Sequence, residues 1–179
     1  MDTIGAGAGT GRVTLAGLTD SLTNPAFNYD LALYLTGDGH GLLILMDEDT
    51  VIAGEGFRQT PGPFTAGTFS GAYGLNLHHV MPNGSDEVRQ NGTGPITADG
   101  ASNLVGFVDL NGVGSNLPLS GDFTSSSNGV FTGTLADLDT SSTPAVHHFA
   151  YYLVDASRGV LIETDNAQLT IGFLELQSN

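Results

Sequence analysis

Residues 32–59 and 150–177 carry one pattern at a fixed offset of 118 positions, with no gap between them. Nine of the 28 pairs are identical: Ala32/Ala150, Tyr34/Tyr152, Leu35/Leu153, Gly41/Gly159, Leu43/Leu161, Ile44/Ile162, Asp47/Asp165, Gly54/Gly172 and Gln59/Gln177. Upstream, Gly11 and Thr14 fall on Gly129 and Thr132 in the same register. A shared period marks one supersecondary unit used twice. The 179 residues hold one and a half such units, because the copy ending at Gln59 lacks its first half.

The unit reads as β structure. Glycine is abundant at 26 residues, proline modest at 7, and Thr, Ser, Asn and Asp crowd between short apolar runs. That is the usage of short strands and tight turns. No window keeps the three-and-four spacing of an amphipathic helix, and none reaches the ~18 apolar residues of a membrane helix. Membrane insertion is therefore not expected. Nineteen acidic residues face four arginines and no lysine, for a net charge of −15. Such a charge repels phosphate backbones, so nucleic acid is not an expected partner, while divalent cations are attracted. With no cysteine, disulfides, thiolate metal sites and cysteine nucleophiles are excluded. Met1–Gly11 has neither the basic start nor the apolar core of a signal peptide, so an exported protein would be a mature or trimmed form.

From Gly67 onward eight strand-like runs appear: 68–80, 86–91 extending toward 97, 103–110, 117–124, 129–138, 147–154, 159–164 and 168–176. Asp99-Gly100, Asn111-Gly112, Asn128-Gly129 and similar pairs separate them and supply the positive φ of hairpin turns. Turns this closely spaced imply an antiparallel meander. Eight such strands close most economically into an up-and-down barrel, with a two-sheet β-sandwich as the alternative. The expected organisation is a four-stranded half-repeat over 1–60, a linker over 61–66 around Pro61-Gly62-Pro63, and a complete unit over 67–179. Four strands alone leave an apolar face and two bare edges. The complete unit, a second chain or upstream sequence must cover them.

The segments Asp109–Gly112, Leu117–Thr124, Asn128–Leu135, Phe149–Asp155, Gly159–Asp165 and Gly172–Gln177 together resemble a β-rich repeat of about 118 residues found in large secreted, multi-repeat proteins of environmental bacteria. The strand count is similar to that of lipocalin-type (calycin) barrels, although the Gly-x-Trp signature is absent from a chain without tryptophan. The resemblance implies the architecture and an extracellular or cell-surface setting, and it carries over no functional residue.

Five sets of residues are candidates for function. Tyr73, Leu75, Phe107, Tyr151, Leu153, Ile162 and Phe173 are bulky residues at positions read as inward, able either to line a ligand cavity or to fill a narrow barrel. The pairs His78-His79 and His147-His148 each place one imidazole inside and one outside, and facing inward members would form a His₂ or His₂–carboxylate metal site. Asp47, Asp49 and Asp109 sit in acidic turns with oxygen ligands of the kind calcium takes, or act as turn formers. Tyr34, Leu43, Leu45, Ile52 and Phe57 are the apolar positions of the half-repeat where another copy would pair. A carboxylate pair such as Glu163 with Glu175 would serve a glycosidase if the two approached. No nucleophile elbow or dinucleotide loop in its proper strand–helix setting is present. The favoured expectation is a non-catalytic, exported structural or adhesive module forming a homo-oligomer or fibre through its incomplete repeat. A small-apolar-ligand carrier is the alternative and a hydrolase with no recognisable motif the third. No cofactor is expected beyond calcium at the acidic turns.

Overall fold

The computed structural model describes residues 10–19, 26–36, 39–45, 53–83, 86–125, 129–137, 146–165 and 169–178. These form two compact units, Met1–Arg58 and Gln59–Asn179. The first is an antiparallel meander of β1 (Thr10–Thr19), β2 (Ala26–Leu35), β3 (His40–Leu45) and β4 (Ala53–Phe57) in the order β1-β2-β3-β4. The second holds β5 (Ser70–Asn83), β6 (Asp86–Asp99), β7 (Asn103–Leu110), β8 (Gly114–Ser125), β9 (Val130–Asp137), β10 (Val146–Asp155), β11 (Arg158–Glu163) and β12 (Leu169–Leu176). Each strand pairs with the next and β12 pairs with β5, which closes an eight-stranded up-and-down barrel. Among the described residues there is no α-helix, only a 3₁₀ turn at Ala66–Thr68. Closure removes the edges that a sandwich would leave.

Short-range chemistry sets the hairpins. Between β6 and β7 the Asp99 carboxylate accepts the backbone N–H groups of Ala101, Ser102 and Asn103 at 2.8, 2.8 and 2.9 Å, and the Asn103 amide at 2.6 Å. Gly100 takes the left-handed φ of 74° that the turn needs. Those donors favour the ionised carboxylate and hold the Asp99 pKa well below its usual value. A lowered folded-state pKa means stability that is present above the unfolded value of about 4 and lost as pH falls through the folded one. Asp99→Ala is therefore expected to lower the melting temperature at neutral pH. The gap to the parent chain should narrow as melts are repeated below about pH 4.

The barrel interior is packed with side chains. The 3₁₀ turn is closed by the Thr68 amide on the Thr65 carbonyl at 2.9 Å, and it delivers Phe69 into the barrel, where the ring is fully buried. Its centroid lies 5.0 Å from Phe123, 5.2 Å from Tyr73, 5.9 Å from Tyr151 and 6.0 Å from Phe131. Ala98, Leu119, Leu135 and Phe149 belong to this core with Leu75, Ile96, Leu104, Val108, Leu153, Leu161 and Leu174. The segment expected as a linker belongs to this unit. Gln59 Nε2 donates to the Leu153 carbonyl at 2.7 Å, the Thr60 amide to Val154 at 2.9 Å, and Phe64 packs on the core.

The phase of β11 and β12 differs from the sequence expectation. Leu161 and Glu163 point inward on β11, and Thr170 and Leu174 on β12, so Ile162 and Phe173 stand on the outer face. Both strands are apolar on both faces, so alternation alone leaves the phase open. Pairing fixes it, because cross-strand partners share a face. The fully buried Tyr151 lies opposite Leu161, Leu161 opposite Gly172, and Gly172 opposite Leu77. Phe107 is likewise outward, 45% exposed between the inward Gly106 and Val108.

The half-unit repeats the barrel's strand geometry. Leu31↔Leu45, Leu35↔Gly41 and Ile44↔Ala53 match Phe149↔Glu163, Leu153↔Gly159 and Ile162↔Ile171 position for position. Only β1 departs, pairing Thr14 with Asp30 where Thr132 pairs with Ala150. The slip is of two residues.

Candidate functional site

Closing β12 onto β5 makes β10, β11, β12 and β5 four consecutive staves. Each contributes one inward polar residue in the barrel half away from Phe69: His147, Glu163, Thr170 and His79. Each His-His pair splits across the pleat, so His79 and His147 turn inward while His78 and His148 stay exposed. His147 Nδ1 lies 2.9 Å from Glu163 Oε1, and the Glu163 carboxylate is fully buried. Its other oxygen accepts the Thr170 hydroxyl. The Thr170 oxygen in turn lies 2.5 Å from His79 Nδ1. A threonine has one proton to give, and this one goes to Glu163. His79 therefore donates from Nδ1 to the Thr170 oxygen. Burial lowers the His79 pKa, the Glu163 charge opposes this, and His147 adds to the lowering. The hydrogen bonds from His147 and through Thr170 place the two imidazoles around one carboxylate.

Beside this chain sits a second pair. Asp165 accepts the His148 backbone amide at 2.7 Å and lies 3.0 Å from His148 Nδ1. The backbone bond, followed by the imidazole, holds the Asp165 pKa below the usual carboxylate range. Ligand atoms of His147, Glu163 and Asp165 lie within 4.8 Å of one another. One imidazole and two carboxylates at that separation suit a divalent ion of the zinc type.

No protein-family model and no curated protein matches this chain. Among solved structures it is similar to the vaccine antigen transferrin binding protein B of Haemophilus parasuis as a double mutant, at 13% identity over 95% of this chain and 37% of that one, with a TM-score of 0.45. A single mutant of the same antigen gives 13% over 90% and 38%, with a TM-score of 0.47. The intact Ap-TbpB with its N and C lobes gives 13% over 93% and 37%, with a TM-score of 0.38. The chain thus spans under two-fifths of the length of these structures. Overlap this partial transfers no function to it.

The other sequence candidates fall as follows. Tyr73, Leu75, Tyr151 and Leu153 are inside the barrel, packed against the aromatic core. Tyr73 donates its hydroxyl to the Ala156 carbonyl at 2.9 Å. The Tyr151 hydroxyl has no hydrogen-bond partner among the described residues, and burial pushes its pKa up. Phe107, Ile162 and Phe173 are not liners, for the reason of phase given above. His78 is exposed and lies 2.8 Å from the Asn91 side-chain oxygen, outside the three-ligand group. Asp109 accepts the Asn116 amide and serves the β7–β8 turn. Asp47, Asp49 and Ile52 lie outside the described residues. In the half-unit Tyr34 is exposed, Leu43 half-buried, Leu45 buried, and Phe57 stacks on His40 at 4.8 Å. Glu163 and Glu175 do not approach. Glu163 faces inward, whereas Glu175 lies outward beside Arg158 at 3.6 Å.

Sequence reasoning missed Glu163 and Asp165 as possible ligands. The available signal was the spacing Glu163-x-Asp165 at the end of a strand, obscured by reading Ile162 as inward.

Proposed function

We propose that this chain is a non-catalytic module of an extracellular or cell-surface assembly, which joins copies of itself by completing its half barrel. The observation that carries this reading is the shared register of β2–β3–β4 and β10–β11–β12. In the barrel the inward residues Tyr151, Leu153 and Leu161 are at most 1% exposed. Their equivalents Leu33, Leu35 and Leu43 are half-buried, 43% exposed and half-buried. Among the described residues this unit is a four-stranded sheet that β1 and β4 end. An apolar sheet with free edges associates. A second half-unit supplies four more strands of the same pattern. The setting outside the cell rests on the resemblance to secreted multi-repeat proteins.

Light scattering at micromolar concentration is the test. A dimer or larger assembly is expected, with Leu33→Asp plus Leu43→Asp shifting it to monomer while the barrel keeps its melting transition. A monomeric parent chain with the amides of β2–β4 already protected from hydrogen exchange sinks the proposal.

The second reading is a small-ligand barrel, favoured by the closure of eight strands, a size able to hold one small ligand. The aromatic packing around Phe69 directs any such ligand to the half lined by His79, His147 and Glu163. Native mass spectrometry of freshly purified protein separates the two readings. The outer face also carries apolar residues, Tyr152, Ile162, Ile171 and Phe107, whereas β8 and β9 turn Ser120, Asp122, Thr124 and Thr132 outward.

A further inference from the structure

We infer that His147, Glu163 and Asp165 form a site for a zinc-type divalent cation at the end of the barrel, with His79 held beside it through Thr170. The first support is geometric, since the three residues bring an imidazole nitrogen and two carboxylate oxygens within 4.8 Å of one another. The imidazole selects against calcium, which takes oxygen ligands alone, and toward zinc, nickel or copper.

The second support is a comparison that the chain contains within itself. At the repeat offset, His147, Glu163 and Thr170 correspond to Tyr29, Leu45 and Ile52. The strands β2–β4 adopt the register of β10–β12 with leucine in place of the glutamate, and Leu45 is buried. Strand pairing therefore does not require a carboxylate at this position. Burying one costs free energy that leucine avoids. The barrel copy nonetheless carries the carboxylate, surrounds it with an imidazole and a hydroxyl, and keeps a second carboxylate, Asp165, at its rim. Asp165 has a counterpart in Asp47 at the same offset, and Asp165 itself also accepts the His148 backbone amide. What distinguishes the barrel copy is the addition of His147, Glu163 and Thr170 to it.

The arrangement fits metal binding beyond the ligand atoms. His148 and Asp165 hold each other at 3.0 Å, and Thr170 orients the inner oxygen of Glu163. Partners of this kind fix ligands in place and raise affinity. With three protein ligands the coordination shell of a tetrahedral ion stays open at one position, to water or to a group from a partner.

The test is titration of the full chain with Zn²⁺ in excess Ca²⁺, which saturates non-specific acidic sites. One tight ion per chain is expected. His147→Gln and Asp165→Asn should each weaken binding by about tenfold or more, and His78→Gln should leave it unchanged. Because a variant can alter the fold, the parent chain is also followed by nitrogen-15 NMR of its histidine rings during the titration. The His147 ring is expected to shift at one equivalent, before His78. Absence of a tight site, or a site indifferent to His147→Gln and Asp165→Asn, overturns the inference. So does equal binding of Ca²⁺, or ring shifts shared by all five histidines.

Discussion

Phe69→Ala is expected to destabilise the barrel by about 3–5 kcal/mol, the usual cost of emptying a buried aromatic site. Phe69 is fully buried and its ring lies 5.0 to 6.0 Å from four others, Tyr73, Phe123, Phe131 and Tyr151. Those rings come from β5, β8, β9 and β10, elements held by the closed ladder. The wall cannot collapse onto the space left by the deleted ring, so the cavity persists and the full penalty applies. In a unit of this size the melting temperature should fall by roughly 10–20 °C. Phe69→Leu refills most of the volume and should recover more than half of the loss. Calorimetry on both variants checks the expectation. A drop of only a few degrees for Phe69→Ala would show that the interior is loosely filled, and would raise the standing of the ligand-carrier reading.

Gly121→Ala and Gly133→Ala should each be at least as damaging, for a backbone reason. A Cβ at Gly121 would stand 2.0 Å from the Thr134 carbonyl oxygen, and one at Gly133 2.0 Å from the Asp122 carbonyl oxygen. The atoms in the way belong to the neighbouring strand's main chain and cannot rotate aside. Relief requires β8 and β9 to separate, which would break the ladder that includes Gly121↔Leu135 and Phe123↔Gly133. Glycines at such places let a small barrel bend. Urea titration should show a loss above about 3 kcal/mol, the upper end of ordinary overpacking, or no cooperative transition at all. Gly112 is the internal control. It has a φ of 77° but open space where its Cβ would be, so Gly112→Ala should cost only the left-handed backbone penalty of about 1–2 kcal/mol. Equal effects at Gly112 and Gly121 would refute the close-approach argument.

Much of the fold was legible along the chain. The run 103–110 and the observed β7 coincide, and the other seven barrel strands differ from their expected limits chiefly at their ends. Asp99-Gly100 and Asn111-Gly112 marked real turns because positive φ is a local requirement that few residues meet. The candidate site was half legible. The splitting of His78-His79 and His147-His148 across the pleat follows from strand geometry alone. That His79 and His147 meet around one carboxylate does not follow, because they lie 68 positions apart and only the β12–β5 pairing brings β5 beside the last three strands.

The composition, the turn residues and the 118-residue offset by themselves determined an all-β chain in which one segment pattern occurs twice. Those features are local or periodic, and physical chemistry reads them without a partner. Tertiary structure alone decided which face of β11 and β12 is interior. Ile162 and Leu161 are equally apolar, so no single-strand pattern separates them, and the choice was made by Tyr151 and Gly172 across the ladders. That choice placed Glu163 inside the barrel, and with it the cluster on which the metal inference rests.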